Sequence, residues 1–305
     1  MNKTTQIDFM GKGKLALIMS FVVLMICVIS LASRGMNLGL DFTGGTVIEL
    51  SYPQAANLDQ IRQTLGEAGF AGAQAQNFGT AREVLVRVAP HAGMDSAAIS
   101  SRILQALQAK DPGVEMRRVE FVGSVVGGEL IEDGALAALF AILGILVYVA
   151  LRFEWKLALG TIAATVHDVV FTVGVFSVLG IEFDLTVLAA VLAVIGYSVN
   201  DTVVVLDRIR ENFRRLRKEN TFQVMNISIN ETLSRTLMTS LTTLIAVVVL
   251  FFLGGPAIHN FALAMIIGIV IGTYSSIYIA SAGAYFLGLT REDLLPKVKE
   301  VDERP

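Results

Sequence analysis

The sequence holds a single cysteine, Cys27, inside an apolar run. It can close no intramolecular disulfide, so cysteine usage assigns no compartment. The three histidines, His91, His167 and His259, lie far apart and lack metal-ligand spacing. Zinc, P-loop and dinucleotide fingerprints are missing too, and no cofactor or metal is expected. Charge is scarce: 17% of the residues carry it, against about a quarter in soluble domains. The net charge of −3 says little about partners. The one basic cluster lies between two hydrophobic runs, where membrane topology explains it and a nucleic-acid face does not.

What is present is apolar, 54% of the residues, and bunched. Six runs are long enough to cross a bilayer, which needs about 20 residues: 15–33, 134–151, 157–181, 185–206, 237–253 and 261–289. The first exceeds a signal-peptide core of about 7 to 15 residues and reads as a retained helix. Lys and Arg number three before the first run, two between the second and third, seven between the fourth and fifth, and four in the tail. The 182–184 and 254–260 connectors have none. Short basic loops stay in the cytoplasm, so residues 1–14 and 290–305 are expected inside.

Residues 34–133 form the one long hydrophilic stretch and are expected outside. Strands are read at 46–52, 73–78, 83–88 and 114–122. Helices are read at 57–68, with a capping box of Asn57 and Gln60, and at 95–109, with Ile99, Ile103, Leu104 and Leu107 on one face. The order β-α-β-β-α-β is that of a ferredoxin-like unit. The fold class is therefore an α-helical polytopic membrane protein with six spans and an α+β domain between the first two.

Chemistry is sought among the polar residues inside the spans, where a charge costs about 2.5 to 3.5 kcal/mol and functional residues concentrate. In the third span Thr161, Thr165, Asp168 and Thr172 share a helical face, with His167 alongside. Asp168 is either a structural carboxylate satisfied by neighbouring hydroxyls or a functional one. In the fourth, Tyr197, Asp201 and Val204 share a face next to Asn200, and Asp201 falls in the cytoplasmic third. An interfacial aspartate reaching for the inner surface is the bland alternative, but 202–206 is still apolar. In the fifth, Arg235, Thr239 and Thr242 share a face, and Arg235 falls at the depth of Asp201. A pair there would favour the ionised carboxylate; a positive-inside anchor explains the arginine as well. Gly268, Gly272 and Ser276 make a small-xxx-small row suited to helix packing. Gly254-Gly255-Pro256 reads as a turn. An intramembrane aspartyl protease needs two carboxyls sharing a proton, but Asp201 follows Ser-Val-Asn, not the Gly-x-Gly of presenilin-like enzymes.

Several segments carry a resemblance: Leu40-Asp-Phe-Thr-Gly-Gly45, Val147 to Trp155, Ala164-Thr-Val-His-Asp168, Ile195 to Asn212, Thr232 to Thr236, Gly254 to Pro256 and Gly268 to Ser276. In this order they resemble the SecD/SecF family of protein-export membrane proteins, of the resistance-nodulation-division superfamily, and its smaller SecF members in particular. One departure is Ser124, where the family pattern has a proline after Gly123. The resemblance implies a non-enzymatic Sec translocon subunit of the bacterial inner membrane that works with SecD, uses the proton-motive force and associates with SecYEG, YajC and YidC. It implies Asp201 and Arg235 as proton-pathway residues, with Asn200 beside them and Asp168 in support. Arg34–Leu38 and Gly123–Gly128 would connect a moving external domain to the spans. A small-molecule or lipid exporter of the same superfamily and a passive scaffold for SecD are the rival readings.

Overall fold

The structure, a computed structural model, describes residues 7–91 and 94–294, and only the backbone of 124–126 and 256. Lys3, Lys297, Lys299 and Arg304, used above to orient the chain, lie outside the described residues. Among the described residues six helices are long and apolar enough to cross a membrane. They are α1 (Gly13–Arg34), α5 (Ser124–Arg152), α6 (Trp155–Leu179), α7 (Leu185–Arg215), α8 (Thr221–Leu253), and α9 (Pro256–Ser275) continued by a π-helical turn, Ser276–Ala280, into α10 (Ser281–Phe286). A final turn, α11 (Arg291–Leu294), follows.

Two spans run well beyond their apolar runs. The fourth apolar run ends at 206, but α7 continues through the basic stretch to Arg215, and α8 starts at Thr221 rather than 237. The reason is ionic. Arg208, Asn212 and Arg215 all bond Glu231 across the turn, with oxygen to nitrogen distances of 2.7 Å each. Asn220 and Gln223 close a full capping box at the start of α8. The box expected at Asn57 is only half made: Asn57 accepts from the Asp59 and Gln60 amides without a return bond.

The α+β domain contains α2 (Leu40–Thr43), β2 (Gly45–Ser51), α3 (Leu58–Glu67), β3 (Gln74–Phe78), β4 (Thr80–Val88), α4 (Ser96–Gln108) and β5 (Glu115–Val122). Its antiparallel sheet has the order β3-β4-β2-β5, the split arrangement of the ferredoxin-like unit. Ile48, Leu50, Val84 and Val86 of the sheet bury against Ile61 and Leu65 of α3 and Ile99, Ile103 and Leu107 of α4. Such burial contributes about 1.5 to 3 kcal/mol per side chain relative to exposure.

The domain is tied to the spans at two points. Gly44 and Gly45 have φ of 67° and 126°, a region only glycine enters without strain. That lets the chain turn from α2 into β2 with α2 against α5, where a Cβ on Gly127 would stand 2.9 Å from the Phe42 carbonyl oxygen. Second, β1 (Asn37–Leu38) pairs in parallel with β6 (Glu182–Phe183), the connector between α6 and α7. Arg87 of β4 forms an ion pair with Glu182, and Asp41 accepts from the Leu185 amide at 3.0 Å. Of the two expected connections, 34–38 holds the end of α1 and the paired strand β1, and 123–128 holds the start of α5.

Candidate functional site

The central helices α6, α7 and α9 pack closely because glycine removes side-chain bulk at their crossings. Gly268 of α9 lies against Val194, and a Cβ on Gly272 would meet Ser198 Cβ at 3.3 Å. The small-residue row at 268–276 is therefore a packing row, as read from spacing. Its last member, however, is also a polar ligand.

Asp201 is 5% exposed. Its Oδ2 accepts a hydrogen bond from Ser276 Oγ at 2.8 Å. Thr236 of α8 aims its hydroxyl at the same carboxyl but falls short of a formed bond. The buried hydroxyls of Tyr197, on the same α7 face, and of Thr202 and Thr236 have no partner among the described residues. Each buried polar group left so costs about 1 to 3 kcal/mol, which is a reason to look for function there.

The expected Asp201–Arg235 pair is not formed. Arg235 is exposed, and no ion pair joins it to a carboxylate among the described residues. Helix geometry explains the error: Thr236 is the buried residue of that turn and takes the inward position, so Arg235, one residue earlier, points about 100° away. Thr239 and Thr242, which share its face, are exposed as well and donate to carbonyls of their own helix. Asn200 is exposed on α7. Asn200 and Arg235 therefore flank the site on the outer surface of the bundle: neither bonds Asp201, though the charge of Arg235 is near enough to act on it.

Asp168 is fully buried and better served. His167 Nδ1 lies 2.9 Å from its Oδ1. Its Oδ2 accepts from Ser275 Oγ at 2.6 Å and from Ser198 Oγ. Thr161, Thr165 and Thr172 share its face but do not satisfy it: they donate to the carbonyls of Leu157, Thr161 and Asp168 in their own helix. Ser198 and Ser275, the true partners, carried no periodic signal, because the contacts join separate helices.

A bundle of six spans, one α+β domain after the first, and two carboxylates buried between the central helices define a polytopic membrane protein with an intramembrane ionisable core. Among the described residues no group of acidic, histidine or cysteine side chains is arranged to hold a metal. Residues 102–290 match the protein export membrane protein SecD/SecF C-terminal model, and residues 29–56 the SecD/SecF GG motif. The chain belongs to the SecD/SecF family.

It is 50% identical to the protein translocase subunit SecF of Vibrio alginolyticus, over 98% of this chain and 97% of that protein. With the SecF of Pseudomonas aeruginosa it shares 47% identity over 99% of both. The crystal structure of SecDF from Thermus thermophilus, a translocon-associated membrane protein, superposes with a TM-score of 0.84 at 38% identity, covering 94% of this chain. This chain spans only 39% of the length of that SecDF chain. A SecDF structure in a super-membrane-facing form matches with a TM-score of 0.69 at the same identity, over 92% of this chain and 39% of that one.

Proposed function

We propose that the chain is the SecF-type accessory subunit of a bacterial Sec translocon, working with SecD to draw on the proton-motive force for preprotein export. The observation that carries the reading is Asp201: a carboxylate within a membrane helix, buried, and without an ion-pair partner among the described residues. A charge there is tolerated where it does work. Protonation of Asp201 removes that charge and alters its bond to Ser276, at the start of the π-helical turn, so proton binding and the packing of the central helices are linked.

The SecF relatives and the SecDF structures support SecD as the partner. The exposed polar face of Asn200, Arg235, Thr239 and Thr242 is the surface SecD would cover, since arginine facing lipid at that depth is costly. In that arrangement Arg235 acts across the subunit boundary. SecYEG, YajC and YidC belong to the same proposed assembly. We place the protein in the inner membrane with 290–305 and the start of the chain inside and the α+β domain outside, as the distribution of Lys and Arg requires.

One elementary charge crossing the field yields about 2.3 kcal/mol per 100 mV. That biases a two-state domain movement and prevents backsliding, but does not unfold a protein. The test is Asp201→Asn in cells lacking the native copy. Proton-gradient-dependent export is expected to vanish while the subunit and SecD remain in the membrane at normal levels. Undiminished proton-dependent export would sink the proposal and leave a scaffold. Loss of small-molecule or lipid efflux instead of preprotein export would identify an exporter.

A further inference from the structure

The Asp168 site has a property that a structural carboxylate does not require. His167 Nδ1 and the donating hydroxyls of Ser198 and Ser275 surround its two oxygens. Among the described residues the one basic group in contact with it is His167 itself, 3% exposed, and the other ring nitrogen of His167, Nε2, is buried without a partner. Two aromatic rings lie beside the imidazole. They are Phe171 of α6 and Tyr274 of α9, whose hydroxyl is engaged with Ser20 and the Ala16 carbonyl of α1. His167 is thus placed to deliver a proton to the carboxylate.

The position of the pair matters as much. Its partner Ser198 lies three residues before Asp201 on α7, about 4.5 Å along the axis. Its partner Ser275 immediately precedes Ser276, the partner of Asp201. The Ser281 hydroxyl bonds the Ser276 carbonyl five residues back at 3.1 Å, within the π-helical turn. Adjacent residues at one helix irregularity thus hold one carboxylate each. π-Helical turns inside α-helices are frequent at functional sites.

We propose that His167 and Asp168 form a second proton-binding station, coupled to Asp201 through the adjacent serines Ser275 and Ser276. The inference rests on the proton-coupled reading of Asp201 and extends it. In the orientation given above, the start of α7 is the outer end, so the His167–Asp168 station lies on the outer side of Asp201. A proton taken up at Nε2 makes the imidazolium. Transfer of the Nδ1 proton to Oδ1 then breaks one N–H bond, forms one O–H bond and leaves a neutral imidazole and a neutral carboxylic acid. Either way the station gains one positive charge, and the hold of Ser275 on Asp168 changes next to Ser276.

The experiment uses the full chain with its SecD partner in lipid nanodiscs. Infrared difference spectra across a pH titration follow the carbonyl stretch of protonated carboxyls, with Asp201→Asn assigning that residue's band. In Asp168→Asn and in Ser275→Ala the Asp201 midpoint is expected to move by about tenfold in proton concentration. In cells, His167→Gln is expected to move the pH profile of proton-dependent export to more acidic external pH by about the same factor. Ser275→Ala keeps every ionisable group and decides the matter if Asp168→Asn does not fold. An Asp201 midpoint unmoved in the folded variants, with an export pH profile unmoved in His167→Gln, overturns the station. Proton-dependent export that survives Asp201→Asn overturns the underlying reading instead, and the infrared coupling then judges the station separately.

Discussion

At the scale of single residues, position on a helix face decides between neighbours in sequence. Asp201 faces inward and Asn200 outward; Thr236 faces inward and Arg235 outward. A shift of one residue turns a side chain by about 100°, enough to convert a site residue into a surface residue. Spacing within one helix identified the polar faces correctly, since Thr161, Thr165, Asp168 and Thr172 are all buried. It could not tell which face looks inward, because that depends on the neighbouring helices. Gly268 offers a direct check on the packing that brings the carboxylates together. A methyl group there runs into the Val194 side chain. Gly268→Ala is expected to destabilise the protein by about 1 to 3 kcal/mol, the usual cost of overpacking. Thermal unfolding in detergent should show the loss, and Val194→Ala on the same chain should recover part of it.

At the scale of elements, the extended α7 and α8 hairpin was missed because hydropathy marks where a helix is apolar, not where it ends. The part beyond the apolar runs is held by polar contacts between residues far apart in sequence. Asn212 is fully buried and its Nδ2 donates to Ser228 Oγ at 3.0 Å and to Glu231 Oε2 at 2.7 Å. Asn212→Ala removes the donor to Ser228 Oγ and one of two donors to Glu231 Oε2, which keeps Arg208, and is expected to cost about 1 to 3 kcal/mol. Hydrogen exchange should speed up in Arg208–Arg215 and Thr221–Glu231 while the α+β domain keeps its protection. Uniform loss of protection would mean that the hairpin is not a separate unit. The strands and helices of that domain were legible to within a few residues, since alternation and capping residues are local signals.

At the scale of the molecule, the junction between the domain and the spans is the part no local pattern announced. It is made of a two-residue parallel pairing, an ion pair and one carboxylate-to-amide bond. Burial pushes the Glu182 carboxyl above the usual carboxylate range, against the opposing pull of Arg87 and with smaller upward contributions from Asp184 and Asp41. A folded-state value above the unfolded one stabilises the fold in acid, below the unfolded value, and that contribution is lost as pH rises through the folded value. The junction is therefore expected to hold best on the acidic side. Thermal melts of the full chain across pH should show this component, and Glu182→Gln should remove it. A pH dependence identical in Glu182→Gln would place the titrating group elsewhere.

The sequence by itself determined the class: six spans, one α+β domain and polar residues at membrane depth. Each of these is written in local periodicity, in hydropathy and in the distribution of charge. It also carried the family, through ordered motifs such as Leu40 to Gly45, whose paired glycines meet a backbone demand that only glycine serves. Only the tertiary structure decided which polar residues form the core. Asp168 finds Ser198 and Ser275, and Asp201 finds Ser276, because three helices cross at small residues. Arg235 is turned to the outer surface by the same packing. Contacts between helices depend on their relative rotation, which side chains at distant crossings set together and no single stretch of sequence specifies.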